Sequence, residues 1–398
     1  MKRKILDMRK ASRFICFLLL PFYFAGCTKT DYRIVEEPAY IRVFNNLTYE
    51  VDINNKEEPQ PFFCMFIDPE FDETGKPVGG LAVGDFLDKR GAYAPPHAAH
   101  AGVSTSRFNQ EYPGKELVPT APILNGFDLT NWAQVSSGTR RFLFMSRPIS
   151  DVPFGQLPDE QQRRVFLDTT ISLTEREVYT IHVLQRDFTT KENALYVRQE
   201  NFHKQPFSDT LSYVNFYNLS AKGFWQAPGN SSGVRDTMNV FLTHMAVNTN
   251  EQGQISHQRI PEFSFQYAGA VYRNNTDTRV TLYHAFPVFP QHGNHVYTDT
   301  WQYLQLCAPP IDPRNSNLFP LPGESGTIFP GLNNLYRAVI FDHARYNPTG
   351  GHILPGLVVN VHSGTHNPRT FGVVNSVEVV NGNVYLTTVQ RRYPQPIY

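Results

Sequence analysis

Three histidine pairs raise the question of a metal: His97 and His100 in "PPHAAH", His292 and His295 in "QHGNH", and His362 and His366 in "HSGTH". Zinc takes three or four converging ligands, with a water completing the set in catalytic sites. No HExxH pattern occurs, and the pairs fall in different loop-like segments. Solvated side chains account for them, so no metal is expected; His292 and His295 are the best pair should one bind. The acidic run "DPEFDETG" (68–75) offers Asp68, Glu70, Asp72 and Glu73, oxygen donors of the kind calcium prefers. Its spacing is not that of an EF-hand, and it reads as an exposed acidic turn. "GESG" (323–326) sets a serine among glycines without making the GxSxG elbow. No glycine-rich phosphate cradle occurs either. No catalytic constellation assembles, so the chain reads as a non-enzyme with no cofactor.

Aromatic side chains are the remaining chemical handle. Sugar rings present CH-rich faces that pack on aromatic rings, while nearby amides and carboxylates bond their hydroxyls. Trp132 in "GFDLTNWAQ" and Trp225 in "KGFWQAPGN" sit among loop-forming residues, and Trp301 in "YTDTWQYLQL" has Tyr297 and Tyr303 beside it. Tryptophan in a sheet protein is more often core than platform. Trp225 leads as a ligand-binding candidate, followed by Trp132, Trp301 and Tyr303, because Gly223, Pro228 and Gly229 suggest an exposed turn.

The elements that must position these residues are strands. Phe and Tyr total 50, while Pro and Gly total 56 and cut the chain into short segments. "EVYTIHVL" (177–184) alternates, with Tyr179, Ile181 and Val183 on one face. "TRVTLYHAF" (278–286) and "NLYRAVIF" (334–341) read as further strands. In "SVEVVNGNVYLTTV", Asn381-Gly382 between two β-rich runs predicts a hairpin with a two-residue type I′ turn. "LPDEQQRRVFL" (157–167) is the one short helical candidate.

The chain also echoes itself. "AYIRVFNNL" (39–47) aligns with "LSYVNFYNL" (211–219), and each half closes with a strand after an Asn-containing turn, "NALYVRQ" from 193 and "NVYLTTVQ" from 383. A further echo pairs Thr139-Arg140, Leu143-Phe144 and Pro148 with Thr278-Arg279, Leu282-Tyr283 and Pro287. The expected fold is therefore all-β, in two tandem modules over 38–203 and 208–398. Long Pro-, Gly- and Asn-rich insertions are expected near 55–137 and 302–333, where binding tends to reside.

The amino-terminal stretch has a different character. A basic segment precedes about eleven apolar residues from Phe14 to Phe24, roughly half of what a spanning helix needs. That is the form of a secretion signal, covering 1–26, with 27–37 a tether. The signal holds six of the 36 Lys plus Arg and one of the 36 Asp plus Glu, so the mature chain has 30 against 35, a net charge of −5. That balance disfavours nucleic acid as a partner. Cys64 and Cys307 remain as packing residues, with a bridge between them the alternative in an oxidising compartment.

Phe24-Ala25-Gly26-Cys27 resembles the lipobox of bacterial lipoproteins, with Phe24 where Leu is usual. The resemblance implies cleavage before Cys27, acylation of its thiol and new amino terminus, and a membrane anchor; two or more acyl chains make such an anchor stable. With "YIRVFNN", "SGTRRFLF" (137–144) and "REVYTIHVL" (176–184), the chain resembles Bacteroidota outer-membrane lipoproteins with tandem immunoglobulin-like modules of unknown function. This implies that the two modules are Ig-like or transthyretin-like β-sandwiches in an outer-membrane protein, at the cell surface, working beside a TonB-type transporter and lipoprotein complex. "CTKTDY" supplies Lys29 and Asp31 but lacks the adjacent acidic pair associated with surface export. "DTT" (168–170), "DTL" (209–211) and "DTM" (236–238) resemble the group's O-glycosylation triplets. The expected role is a non-catalytic, lipid-anchored binding or accessory protein that captures glycan for uptake. The alternative is a fimbrillin-type subunit assembling by strand addition, with "NVYLTTVQRRYPQPIY" as the donor and Arg391-Arg392 as the cleavage site.

Overall fold

The structure is a computed structural model that describes residues 35–47, 62–86, 119–148, 150, 152–208, 210–228, 236–252, 255–287, 289–297, 300–307, 309, 336–341, 353–354, 373–381 and 383–391; for some strand residues, Trp301, Tyr303 and Cys307 among them, it describes the backbone alone. The expected signal, Cys27, His97, His100, His362, His366 and "GESG" lie outside the described residues. The described residues from Glu36 onward form one compact unit.

The chain is all-β, in four larger sheets. The first half supplies β1 (Pro38–Asn45), β2 (Phe63–Phe71), β3 (Pro77–Phe86), β4 (Ile123–Leu124), β5 (Phe127–Asp128), β6 (Ala133–Ser136), β7 (Gly138–Ser146), β8 (Val165–Leu173), β9 (Val178–Asp187) and β10 (Glu192–Glu200). The second half supplies β11 (Leu211–Asn218), β12 (Thr237–Thr249), β13 (Ile255–Arg259), β14 (Gln266–Tyr272), β15 (His284–Pro287), β16 (Gln291–His292), β17 (His295–Val296), β18 (Thr300–Cys307), β19 (Tyr336–Phe341), β20 (Ile353–Leu354), β21 (Val373–Val380) and β22 (Asn383–Gln390). Among the described residues, ladder pairing between these strands stays within one half, while isolated bridges Phe127↔Arg391 and Asp187↔Lys222 cross between them.

The two halves repeat one topology. One sheet runs β10-β9-β1-β6, its counterpart β22-β21-β11-β15. In each, the first strand lies parallel to the penultimate one, Tyr40 opposite Val178 and Ser212 opposite Val373. The partner sheets run β3-β2-β7-β8 and β13-β12-β18-β19-β20, with β14 also on β12. The repeated asparagine after each first strand has a local cause. Asn45 Oδ1 accepts the Leu47 N–H at 3.1 Å and Asn218 Oδ1 accepts the Ser220 N–H at 3.2 Å, each side chain capping the turn out of the strand.

The echo between 139–148 and 278–287 does not survive. Residues 138–146 form β7, whose counterpart by sheet order is β18, whereas within 278–287 only His284–Pro287 is a strand, the counterpart of β6. The expected helix over 157–167 is a single 3-10 turn at Asp159–Gln162 behind Pro158, and from Val165 the β-rich sequence pairs with β7. The insertion expected from 55 is narrower than its composition suggests, since Phe63–Phe86 is a β hairpin. The hairpin between β21 and β22 is present: Val380 pairs with Asn383, and Asn381 takes φ 48°.

That β2–β3 hairpin depends on one glycine. Asp68 sits at φ 47°, and a Cβ on Gly80 would lie 2.6 Å from the Ile67 carbonyl oxygen and 3.1 Å from that of Asp68. No side chain fits against backbone so close. Gly80→Ala is expected to destabilise the protein by about 2–3 kcal/mol through forced displacement of β2, measured as a fall in urea midpoint. An unchanged midpoint would contradict this close approach.

Candidate functional site

A buried polar site lies where the two halves meet. Strand alternation sends Tyr179, Ile181 and Val183 into the first module's core and leaves Val178, Thr180, His182 and Leu184 on the opposite face, also buried. On that face Phe44, His182 and Tyr196 lie side by side across β1, β9 and β10. Tyr217, Glu378 and Tyr385 form the matching row across β11, β21 and β22. The rows meet: His182 Nε2 lies 3.3 Å from Glu378 Oε1, and the Tyr196 hydroxyl donates to the Asp277 carbonyl at 2.9 Å.

Arg198 joins the halves by charge. Its Nε donates to Glu200 Oε1 at 2.9 Å and its Nη2 to Glu378 Oε1 at 2.8 Å, while its guanidinium lies 4.1 Å from the Tyr217 ring centre. Arg198, Glu378 and His182 are wholly buried. Burial opposes the guanidinium charge, but Glu200, Tyr217 and Glu378 outweigh it and hold Arg198 charged, well above its usual range. Burial likewise pushes the Tyr196 and Tyr217 hydroxyls up. Apolar contacts flank the cluster, since Tyr40, Trp132, Val178 and Phe202 pack with Val374 and Val389. Paired backbone bonds, Phe188 N to Lys222 O and Lys222 N to Arg186 O, both 2.9 Å, close one end of the junction. The arrangement is a lock of charge and packing with little solvent access.

The candidate ligand residues fare differently. Trp132 belongs to the core, at 1% exposure, with the Arg42 guanidinium 3.8 Å from its ring centre. It presents no face to a ligand, and the loop-like setting of "GFDLTNWAQ" misled because residues 133–136 continue as a strand whose Ala133 and Val135 are buried. Trp225 is half-buried against the second core, edge-on to Phe224, and its indole N–H is buried without a partner. Gly223 takes the left-handed conformation, at φ 81°. Trp301 and Tyr303 lie on β18 opposite Met245 and Thr243. Cys64 is fully buried on β2.

His292 and His295 face each other across the β16–β17 pair, and His292 Nδ1 lies 3.3 Å from Glu262 Oε1. Among the described residues, no three His, Cys, Asp or Glu side chains converge to hold a metal. In the acidic run, Asp68 accepts from Arg140 Nη1 and the Arg141 N–H, both at 2.9 Å, and Asp72 Oδ1 caps its turn through the Thr74 and Lys76 N–H groups.

Sequence reading missed two residues that the fold brings to the surface. Tyr267 and Tyr272 on β14 are 57% and 66% exposed. A glycine inside an alternating run, Gly269 in "QYAGAVY", was the available signal, since interior glycines often mark bulges.

No family model and no curated protein matches the chain. Among the solved structures similar to it are two. One is a candidate cell adhesion protein from Bacteroides uniformis ATCC 8492, 9% identical, covering 90% of this chain and 100% of that one, with a TM-score of 0.17. The other is a candidate cell adhesion protein from Parabacteroides distasonis ATCC 8503, 8% identical, covering 91% and 98%, with a TM-score of 0.16. Superpositions that loose carry no residue-level equivalence, and the adhesion description belongs to those proteins.

Proposed function

We propose that the chain is a non-catalytic, lipid-anchored protein of the outer membrane, displayed at the cell surface, which presents two fused β-sandwiches for adhesion or for capture of glycan beside an uptake complex. The observation that carries this reading is the junction: repeated modules share one buried ion cluster and one apolar seam, which suits a rigid body held off a membrane. The lipobox-like Cys27 supports the tether. The alternative, assembly by strand addition, names β22 as the donor, and that strand already pairs with β21 from Val373↔Gln390 to Val380↔Asn383.

The anchor is tested in the native host. Labelled palmitate is expected to enter the wild-type chain, and Cys27→Ser is expected to abolish incorporation and release the protein from the membrane fraction. Absence of label in the wild type would remove the anchor, and with it the envelope role. Protease shaving of intact cells decides the face: loss of the full-length band supports surface display, and protection until lysis contradicts it.

A further inference from the structure

The two modules differ where β2 and β12 meet their edge neighbours. In the first module that neighbour is the single strand β3. In the second, β13 pairs with β12 over Met245–Thr249 and β14 pairs with it over Thr237–Leu242, with a 3-10 turn at Pro261–Phe263 between them. Phe265 leaves that turn at φ 51°, its N–H held by Thr243 Oγ1 at 2.9 Å. Positive φ is costly for an aromatic residue and persists only where the surroundings impose it.

β14 then carries a bulge. Val240 pairs with Gly269 and the next residue, Phe241, with Tyr267, so Ala268 is the extra residue, and Gly269 sits at φ 129°. In a regular strand, residues five apart point to opposite faces. The bulge reverses the parity: Ala268 and Val271 both enter the core, while Tyr267 and Tyr272 both emerge on the other face. Phe241 supports Tyr267 edge-on, ring centres 5.5 Å apart.

The result is an aromatic strip. Tyr267 and Tyr272 stand opposite Phe241 and Thr237, four positions apart on β12, a span of about 14 Å at the rise of an antiparallel strand. Asn239 and Ala270 pair between them, and Asn239 Nδ2 donates to the Pro309 carbonyl at 3.3 Å. The strip itself carries no charge. Bordering charges are engaged: Arg273 with Asp236 at 3.1 Å, and the Arg259 guanidinium 4.8 Å from the Phe265 ring centre. Rings with hydroxyl tips and no net charge complement a neutral ligand with CH-rich faces and many hydroxyls rather than an anionic one.

We propose that Tyr267 and Tyr272 form the binding platform for a neutral polysaccharide, an inference that rests on the glycan-capture form of the proposed function and gives it a site. The mature chain would be run through native gels containing barley β-glucan, xyloglucan or galactomannan, with polygalacturonate as the charged comparison. At least one neutral gel is expected to slow the wild type, and polygalacturonate is not. Tyr267→Ala and Tyr272→Ala are each expected to weaken binding about tenfold, and the double variant to run as in a gel without glycan. Tyr267→Phe keeps the ring and is expected to keep most of the binding. Leu282→Ala, which alters another exposed apolar residue, is expected to change nothing. Unchanged melting temperatures show that the variants fold. Retardation that persists in the double variant would overturn this site and leave glycan capture to another surface. A lack of retardation in every neutral gel would overturn both, while palmitate labelling of Cys27 still decides the anchor by itself.

Discussion

Arg198→Met is expected to destabilise the protein by about 3–5 kcal/mol, because it strands buried carboxylates without a counter-charge. Glu200 and Glu378 would remain at 3% and 0% exposure with their shared cation gone. Met has the volume to fill much of the space, so the loss would report charge more than cavity. Arg198→Lys should recover only part of it, since one ammonium cannot reproduce the guanidinium fork. Replacing Arg198, Glu200 and Glu378 together by Met, Gln and Leu should cost far less than Arg198→Met alone, because no unpaired charge stays behind. Urea denaturation at neutral pH measures all three. A triple variant as unstable as the single one would contradict the electrostatic account.

Acid is expected to weaken the second module through His244. Burial holds this imidazole down at about 4, against an ordinary value of 6.5. Its Nε2 lies 3.3 Å from the Pro287 carbonyl oxygen and 3.1 Å from Gln302 Nε2. Between those two values the unfolded chain binds a proton that the folded one excludes, so stability rises with pH across this window. The contribution is fully present above about pH 6.5 and is lost as pH falls to about 4, at about 1.4 kcal/mol per unit and roughly 3 kcal/mol in all. Urea midpoints for wild type and His244→Gln between pH 7 and pH 4 test this. The variant should show a shallower decline; parallel curves would show that His244 is not the titrating group.

The sequence revealed the frame more readily than the sites. β1 and β11 were legible because a buried strand that must leave through a tight turn needs alternation and a capping asparagine, and Asn45 and Asn218 supply the caps. The β21–β22 hairpin was legible because Asn-Gly is almost a geometric instruction. The β2–β3 hairpin was hidden by Gly79-Gly80 and Pro77, which read as loop, although Gly80 is needed for close backbone approach. Trp132 read as a candidate platform because its neighbours are polar; only the fold shows the second module's Val374 and Val389 in the same apolar cluster. The junction left a faint signal, a lone Glu378 between valines, and a charge inside a strand that is buried on both faces requires a distant partner no local pattern can name. Tyr267 and Tyr272 were invisible as a pair because their spacing has the wrong parity until the bulge corrects it.

Seams of this kind make one cooperative body out of two repeats. Scanning calorimetry of the mature chain at pH 7 tests that claim most directly. We predict a single transition whose calorimetric and van't Hoff enthalpies agree for the whole chain. Two resolved transitions, with that of the second half unmoved by Arg198→Met, would contradict it.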